Sequence, residues 1–523
     1  MASRAASHSP TEMAGAEDPE DKAMLPVDSP LLLTTGIMLA SLLQILDTTI
    51  ANVAVPDMQA ALGATPDTIS WVLTSYIVAM AVTMPLTGWL ADRVGSRNLF
   101  IWSVAGFILS SMLCGMAQNL EQMVLFRALQ GATGAFIGPL SQAAMIDTNK
   151  PSRQPQMMAL WGMGIMVGPI LGPFLGGWLT ENWNWRWVFY VNVPLGAISL
   201  AILLAELPSR PRTSRRFDLL GFALLALCLG AIQMLLDRGN HVDWFDAAES
   251  WIYLGLALSA GWMAGVHFAT TPQPLFDRGL FANPNFIVAI VFMVLIGVVM
   301  FATMALLPPM LQHLFGYGVI DTGVALVPRG VGTLISMQLS GVLVRRGVDP
   351  RILIALGFTI AAISLWDMAT WSLAVDQQQV MLAGLIQGIG LGFVFIPLNA
   401  SAFSTLPPHL RTDGASLLNL SRSIGSSIGI AVMTALTARS IQVSHNDLAS
   451  HVTASASSMI DVSTADRFQQ AGEAALRMID AEVNRQAAMI AYVNDFHLMM
   501  WLSLIAVPLT LLLRRPPPTA GRY

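Results

Sequence analysis

Fourteen apolar stretches recur along this chain, at 31–53, 70–90, 98–117, 122–145, 157–180, 186–206, 217–236, 251–269, 286–308, 321–344, 352–372, 380–403, 413–437 and 496–513. Runs of about 20 such residues match the hydrocarbon thickness of a bilayer, where a helix satisfies its own backbone. The chain is therefore expected to be an all-α polytopic membrane protein with 14 transmembrane helices. Its charge content agrees: 11% of residues are charged and 54% hydrophobic, against about 25% charged in soluble domains. The net charge of -5 says little about partners, and nothing points to nucleic acid. Cys114 and Cys228 fall inside apolar runs far apart in helix order, which gives neither a disulfide framework nor a metal site.

An even number of crossings returns both termini to one side. Arginines choose the side. Arg93, Arg97, Lys150, Arg153, the cluster Arg210, Arg212, Arg215 and Arg216, then Arg278, Arg345, Arg346, Arg351, Arg411, Arg514 and Arg515 occupy alternate loops. The loop 54–69 on the other side has Asp57 and Asp67 and no basic residue. The positive-inside rule makes the arginine-rich side, and both termini, cytoplasmic. Residues 1–30 are polar and acidic, the wrong sign for the start of a signal peptide, and read as a disordered cytoplasmic tail.

Within the fifth run, Trp161 to Leu179, glycine recurs every fourth residue at Gly164, Gly168, Gly172 and Gly176, with Pro169 and Pro173 between them. Interior glycine costs about 1 kcal/mol in an aqueous helix and proline about 3. In a membrane the same stripe lets a second backbone approach closely, and each proline removes one hydrogen bond. This helix is expected to pack tightly and to bend.

The chain also repeats itself. Gln130-Gly131 matches Gln387-Gly388, and Gly168 and Gly172 match Gly425 and Gly429, all at an offset of 257; Gly88 to Gly95 has a decayed echo at Gly341 to Gly347, at 253. These pairs join runs eight apart. Two six-helix halves in the same orientation with two helices inserted between them give that spacing, and parallel six-helix repeats place substrate between the halves near the midplane. The expected division is a six-helix bundle at 31–206, a linker with two inserted helices at 207–269, and a second six-helix bundle at 286–515 carrying an external loop at 438–495. The stretch 465–488 of that loop is amphipathic, a solvated cap or a docking face for a periplasmic partner.

Charges inside the runs are few, and a central one costs roughly 2.5–3.5 kcal/mol on insertion scales. Asp47 and Arg127 fall at matching depths in the first half, where a carboxylate can exchange a proton as its access to water changes. Arg329, Asp367 and Arg422 are the corresponding charges of the second half. Asp367 is a second candidate protonation site, and Arg422 a holder of anionic substrate or of a carboxylate partner. Gln44, Asn52, Gln130, Gln387 and Asn399 are candidates for lining a cavity or for hydrogen bonds between helices.

Motifs narrow the family. Gly88-Trp-Leu-Ala-Asp92-Arg93-Val-Gly95-Ser-Arg97 resembles motif A of the major facilitator superfamily, with Asp92 as a clasp that pairs with Arg97 or a helix N-terminus. Arg127-Ala-Leu-Gln130-Gly131 resembles motif B, and Gly168-x3-Gly172-Pro173-x2-Gly176-Gly177-x-Leu179 the antiporter motif C. Leu46-Asp47-Thr-Thr49-Ile-Ala-Asn52, Trp185 to Pro194, Leu236-Asp237-Arg238-Gly239 and Asp243-Trp244-Phe245 are similar to segments of the fourteen-helix drug:H+ antiporters of the EmrB type. The resemblance implies the major facilitator fold and proton-driven export of hydrophobic or amphipathic compounds across a bacterial inner membrane. It further implies no cofactor beyond the proton gradient, and a periplasmic membrane-fusion adaptor of the EmrA type with an outer-membrane channel. By motif position Asp47 and Arg127 are the coupling residues. A dedicated exporter of one metabolite keeps the same fold, and a non-transporting sensor is the third reading. No H-E-x-x-H, G-x-S-x-G or phosphate-cradling loop is present, which argues against an enzyme or an ATP-driven pump.

Overall fold

The computed structural model describes residues 23–210, 212–213, 215–239, 242–451 and 472–514. Most of the expected N-terminal tail therefore lies outside the described residues, as does 452–471. Fourteen long helical segments follow one another: α1 Pro30–Val53, α2 Trp71–Val94, α3 Ser96–Met116, α4 formed by Leu120–Gly134 and Ile137–Asp147, α5 Gln154–Asn182, α6 Asn192–Glu206 and α7 Leu219–Arg238. They continue as α8 Ala248–Thr270, α9 Pro284–Phe315, α10 Val319–Arg345, α11 Pro350–Met368, α12 Gln377–Ser404, α13 Arg411–His451 and α14 Gly472–Leu509. Among the described residues there is no strand. Twelve of these segments are by themselves long and apolar enough to cross a membrane. The other two are α4 and α10. Pro139 interrupts α4 because it has no N–H to offer the carbonyl of Ala135. The polar Asp321, Thr322, Arg329, Gln338 and Ser340 dilute the hydropathy of α10. In α5 both Pro169 and Pro173 lie inside one continuous helix.

The two halves pack alike. In the first, α1 lies on α5 and α6, α4 on α2 and α3, and α3 on α6. In the second, α9 lies on α13 and α14, α12 on α10 and α11, and α11 on α14. Each pair is repeated eight helices on. Across the molecule α5 packs on α10, and α13 packs on α2 and on the second segment of α4. Glycines set the approach in equivalent places: a Cβ on Gly88 of α2 would fall on the Asp413 carboxylate of α13, and one on Gly341 of α10 would meet Ala159 of α5 at 3.1 Å.

The inserted pair is peripheral. α7 lies between α2 and α8, and α8 exposes Trp251, Trp262 and Met263, an apolar surface suited to lipid. The Asp237-Arg238 pair holds α7 to α2: Asp237 accepts from Thr74, and Arg238 stacks over Trp71, 5.6 Å from the ring centroid. The segment 438–495, expected as a loop, is helical wherever it is described. α13 and α14 run on past the bilayer-length stretch as a packed pair, tied by Thr437 to Asp495, Asn494 to Ser440 at 3.2 Å and His445 to Asp480 at 3.1 Å.

Candidate functional site

Asp47 is fully buried in the last third of α1 and collects three donors. Arg127 Nη1 of α4 lies 2.7 Å from its Oδ2, while Gln130 Nε2 of α4 and Asn192 Nδ2 of α6 donate to Oδ1 at 2.8 and 2.7 Å. Arg127 Nε donates to the Val72 carbonyl at 3.2 Å, and Nη1 also donates to Gln130 Oε1 at 2.7 Å. The guanidinium stacks on Tyr76, 4.2 Å from the ring centroid. A buried pair of this kind is stable only when its remaining valences are satisfied, and here four helices satisfy them. Asn192 Oδ1 is buried without a partner among the described residues.

The glycine stripe of α5 lies against the same helix that carries Asp47. Cβ atoms on Gly164 and Gly168 would meet Met38 at 2.9 Å and Ile45 at 2.8 Å. One on Gly172 would overlap the Thr49 hydroxyl, and one on Gly176 would reach Ile50 at 3.1 Å. Gly177 is buried beside them. Thr49 Oγ1 also contacts the Gly168 carbonyl at 3.3 Å, and Trp161 Nε1 donates to Ser41 at 2.9 Å. The absent side chains thus seat α1 in α5 along several turns, on the face next to the charge centre.

The second half repeats this centre without its acid. Thr303 of α9 stands 256 residues after Asp47, and Gln387 of α12 stands 257 after Gln130. Gln387 Nε2 donates to Thr303 Oγ1 at 3.2 Å, the counterpart of the Gln130–Asp47 bond. Gly384 takes the place of Arg127, and Arg329 of α10 that of Tyr76, so the guanidinium enters from the opposite helix. Arg329 Nη2 donates to the Met300 carbonyl at 3.0 Å; its Nη1 and Gln387 Oε1 are buried without partners.

Asp367, expected as a second protonation site, does not belong here. It is exposed one residue from the end of α11, on the outward face beside the exposed Trp366, and accepts from the Trp371 indole at 3.3 Å. Asn52 is likewise exposed, at the end of α1. Gln130 is part of the charge centre rather than of a cavity wall. Gln44 contacts Met80 Sδ at 3.5 Å beside Gly138. Asn399 accepts from Gln142, whose Oε1 accepts from Asn419 at 2.8 Å, and Asn419 Oδ1 accepts from Arg422 at 3.0 Å. This belt crosses between the halves.

Below it, the arginine-rich ends of the helices are clamped together. Asp92 faces Arg215 of the linker at 3.6 Å, and Arg215 bonds Asp413 of α13 at 2.9 Å. Burial disfavours the Arg215 cation, but Asp413, and less strongly Asp92, outweigh it and hold its pKa above the ordinary value. Asp147 is shared by Arg210 and Arg411, the latter at 3.2 Å. The expected Asp92–Arg97 pair is not formed: Arg97 donates to the Leu204 carbonyl at 2.6 Å, and Arg93 stacks on Trp89. Gly95, at φ +92°, makes the turn that separates α2 from α3. Sequence reading missed Gln142, Asn419, Asp147 and Asp413, which show no spacing signal; Asn192 was visible only within the Trp185 to Pro194 segment.

Among the described residues there is no group of His, Cys, Asp and Glu suited to a metal ion. Residues 37–430 match the family model described as Major Facilitator Superfamily. The multidrug export protein EmrB of Escherichia coli (strain K12) is 35% identical over 425 residues, 81% of this chain and 83% of that one. The fatty acid resistance protein FarB of Neisseria gonorrhoeae is 34% identical over 501 residues, 93% and 97% of the two chains. In fold, the chain is similar to the human organic anion transporter MFSD10 (TM-score 0.57, 15% identity, 91% and 99% covered). It is also similar to the proton:xylose symporter XylE (TM-score 0.58, 12% identity, 92% and 96% covered). The chain is a multi-pass membrane protein of the Major Facilitator Superfamily, related to its EmrB-type members.

Proposed function

We propose that the protein exports hydrophobic or amphipathic compounds in exchange for protons, by alternating access of a space between its two halves. The observation that carries this reading is the fully buried Asp47, held by Arg127 and Gln130 of α4 and Asn192 of α6. Protonating Asp47 cancels the attraction across α1 and α4 and leaves Arg127 to be resolvated, so the pair cannot change charge without moving helices. Asn192 Oδ1, unpartnered as placed, offers an acceptor to a protonated carboxyl once its amide turns. α1 slides or rocks on the side-chain-free face of α5, which couples that event to the stripe of Gly168, Gly172 and Gly176. The clamp of Asp92, Arg215 and Asp413 opens when the arginine-rich ends separate.

The named functions of the EmrB and FarB relatives support export of small amphipathic molecules. The arginine bias supports an inner-membrane orientation with both termini cytoplasmic. The extended pair α13–α14 then stands on the outer side, where an adaptor of the EmrA type, leading to an outer-membrane channel, has a helical surface to engage. The proton gradient is the energy source in this reading, with no cofactor. Substrate-dependent proton movement by the purified protein in proteoliposomes tests it: the wild type should show it and Asp47→Asn should not. Full proton movement by Asp47→Asn would overturn the assignment.

A further inference from the structure

Charge is balanced in one half of the membrane interior and unbalanced in the other. Asp47 neutralises Arg127 at 2.7 Å. In the second half Arg329 and Arg422 have no carboxylate within ion-pair distance among the described residues, although each lies about 15 Å along its helix from the nearer end. Two guanidiniums at such depth are costly unless an anion visits them. Arg329 is buried in the core of its half. Arg422 is different.

Arg422 is part-exposed, and it stands one turn from Asn419 on the same face of α13. Asn419 reaches Gln142 of the other half and lies beside Gly138, so this face of α13 looks onto the seam between the halves. Among the described residues only Nη2 of the guanidinium is engaged, with Asn419 at 3.0 Å, and that partner is a neutral amide. Gln142 and Asn399 close the seam on the arginine-rich side, and the Asp147 and Asp413 clamps lie beyond them. Apolar Trp161, Phe395 and Met337 pack into the same seam from α5, α12 and α10.

We infer that Arg422 is the headgroup anchor for amphipathic organic anions, carboxylates or sulfonates, whose apolar body lies along the seam between the halves. Arg329 adds a second positive charge to the field without touching the ligand. The proposal rests on the export reading and gives it a substrate class. A planar guanidinium with free N–H groups matches a carboxylate or sulfonate in two-point contact, and a cation is repelled.

The test uses two probes that differ in one group, 8-anilinonaphthalene-1-sulfonate and the neutral N-phenyl-1-naphthylamine. The full chain is reconstituted in proteoliposomes for proton-driven transport, and equilibrium binding is followed by probe fluorescence. Arg422→Gln should raise KM and weaken binding for the sulfonate by about tenfold or more, the worth of one charge-assisted contact, and leave the neutral probe within about twofold. Arg422→Lys should recover part of the loss, and Arg329→Gln should weaken the sulfonate by only about two- to threefold, as a distant charge does. Should Arg422→Gln fail to fold, Arg422→Met keeps the stem and removes the charge. Equal loss of both probes, or a wild type that does not prefer the sulfonate, overturns the site. Asp47→Asn separates the two readings: it should stop proton-driven movement of both probes and keep sulfonate binding. Continued movement would overturn coupling, while binding that depends on Arg422 would still support the anchor.

Discussion

The two halves share a packing plan and differ in what they place at its centre. Asp47, Arg127 and Gln130 become Thr303, Gly384 and Gln387, and the cation returns on α10 as Arg329. The amide-to-α1 bond of one half survives as the amide-to-α9 bond of the other. The carboxylate does not. An ion pair that must be broken and remade suits coupling, whereas an unneutralised cation suits attraction of an anion. On the proposed reading, the duplicated fold divides two tasks between its copies. The same asymmetry appears in the stripes: Gly172 faces a Thr49 side chain that can move, whereas a Cβ on Gly429 would meet the Val298 backbone at 2.7 Å.

The largest expected effect breaks the first centre. Asp47→Asn should lower proton-coupled transport by about 100-fold or more in proteoliposomes, the scale of losing a proton carrier. Arg127→Gln, which strands the carboxylate, should also lower thermal stability by roughly 3–5 kcal/mol, and the double variant should regain much of it in melting curves. Adding an acid to the second centre sharpens the contrast. Asp47→Asn with Thr303→Asp should remain uncoupled, because α13 seats α9 backbone to backbone, with no side chain free to yield as Thr49 is between α1 and α5; recovered proton movement would mean that either half can couple. Next, Gly172→Val should overpack the stripe by about 1–3 kcal/mol and slow transport, with partial relief from Thr49→Ala. Gly429→Ala should cost more stability than Gly172→Ala and find no such suppressor. A smaller change in rate is expected at the clamp: Arg215→Gln leaves the buried Asp413 without its part-exposed cation, so stability should fall by about 1–3 kcal/mol while transport rates shift by at most about fivefold. Asp367→Asn, at the exposed end of α11, should transport like the wild type.

Much of this architecture is legible in the residues. Apolar runs of bilayer length mark the helices, including the broken α4, whose composition reads as one span although Pro139 divides it. The common offset of Gln130 with Gln387 and of Gly168 with Gly425 exposes the duplication. Asp47 and Arg127 stand out because an ionised side chain within an apolar run demands a partner. The partners themselves are another matter. Nothing local links Asp92 to Arg215 rather than to Arg97, or places Arg210 beside Asp147, since the linker has no periodicity to fix its path. Nor does hydropathy tell a long helical pair from a polar loop between α13 and α14.

What the sequence by itself determined is the solvent in which the chain folds, the number of its helices and their repetition, because these follow from composition and spacing summed over many residues. Only the tertiary structure decided which charges are matched and which stripe meets which helix, because those depend on the facing of helices that are far apart in the chain. Asp47 and Arg422 look alike as isolated charges in apolar runs. One is held by three side chains of two neighbouring helices, and the other faces the seam with donors to spare.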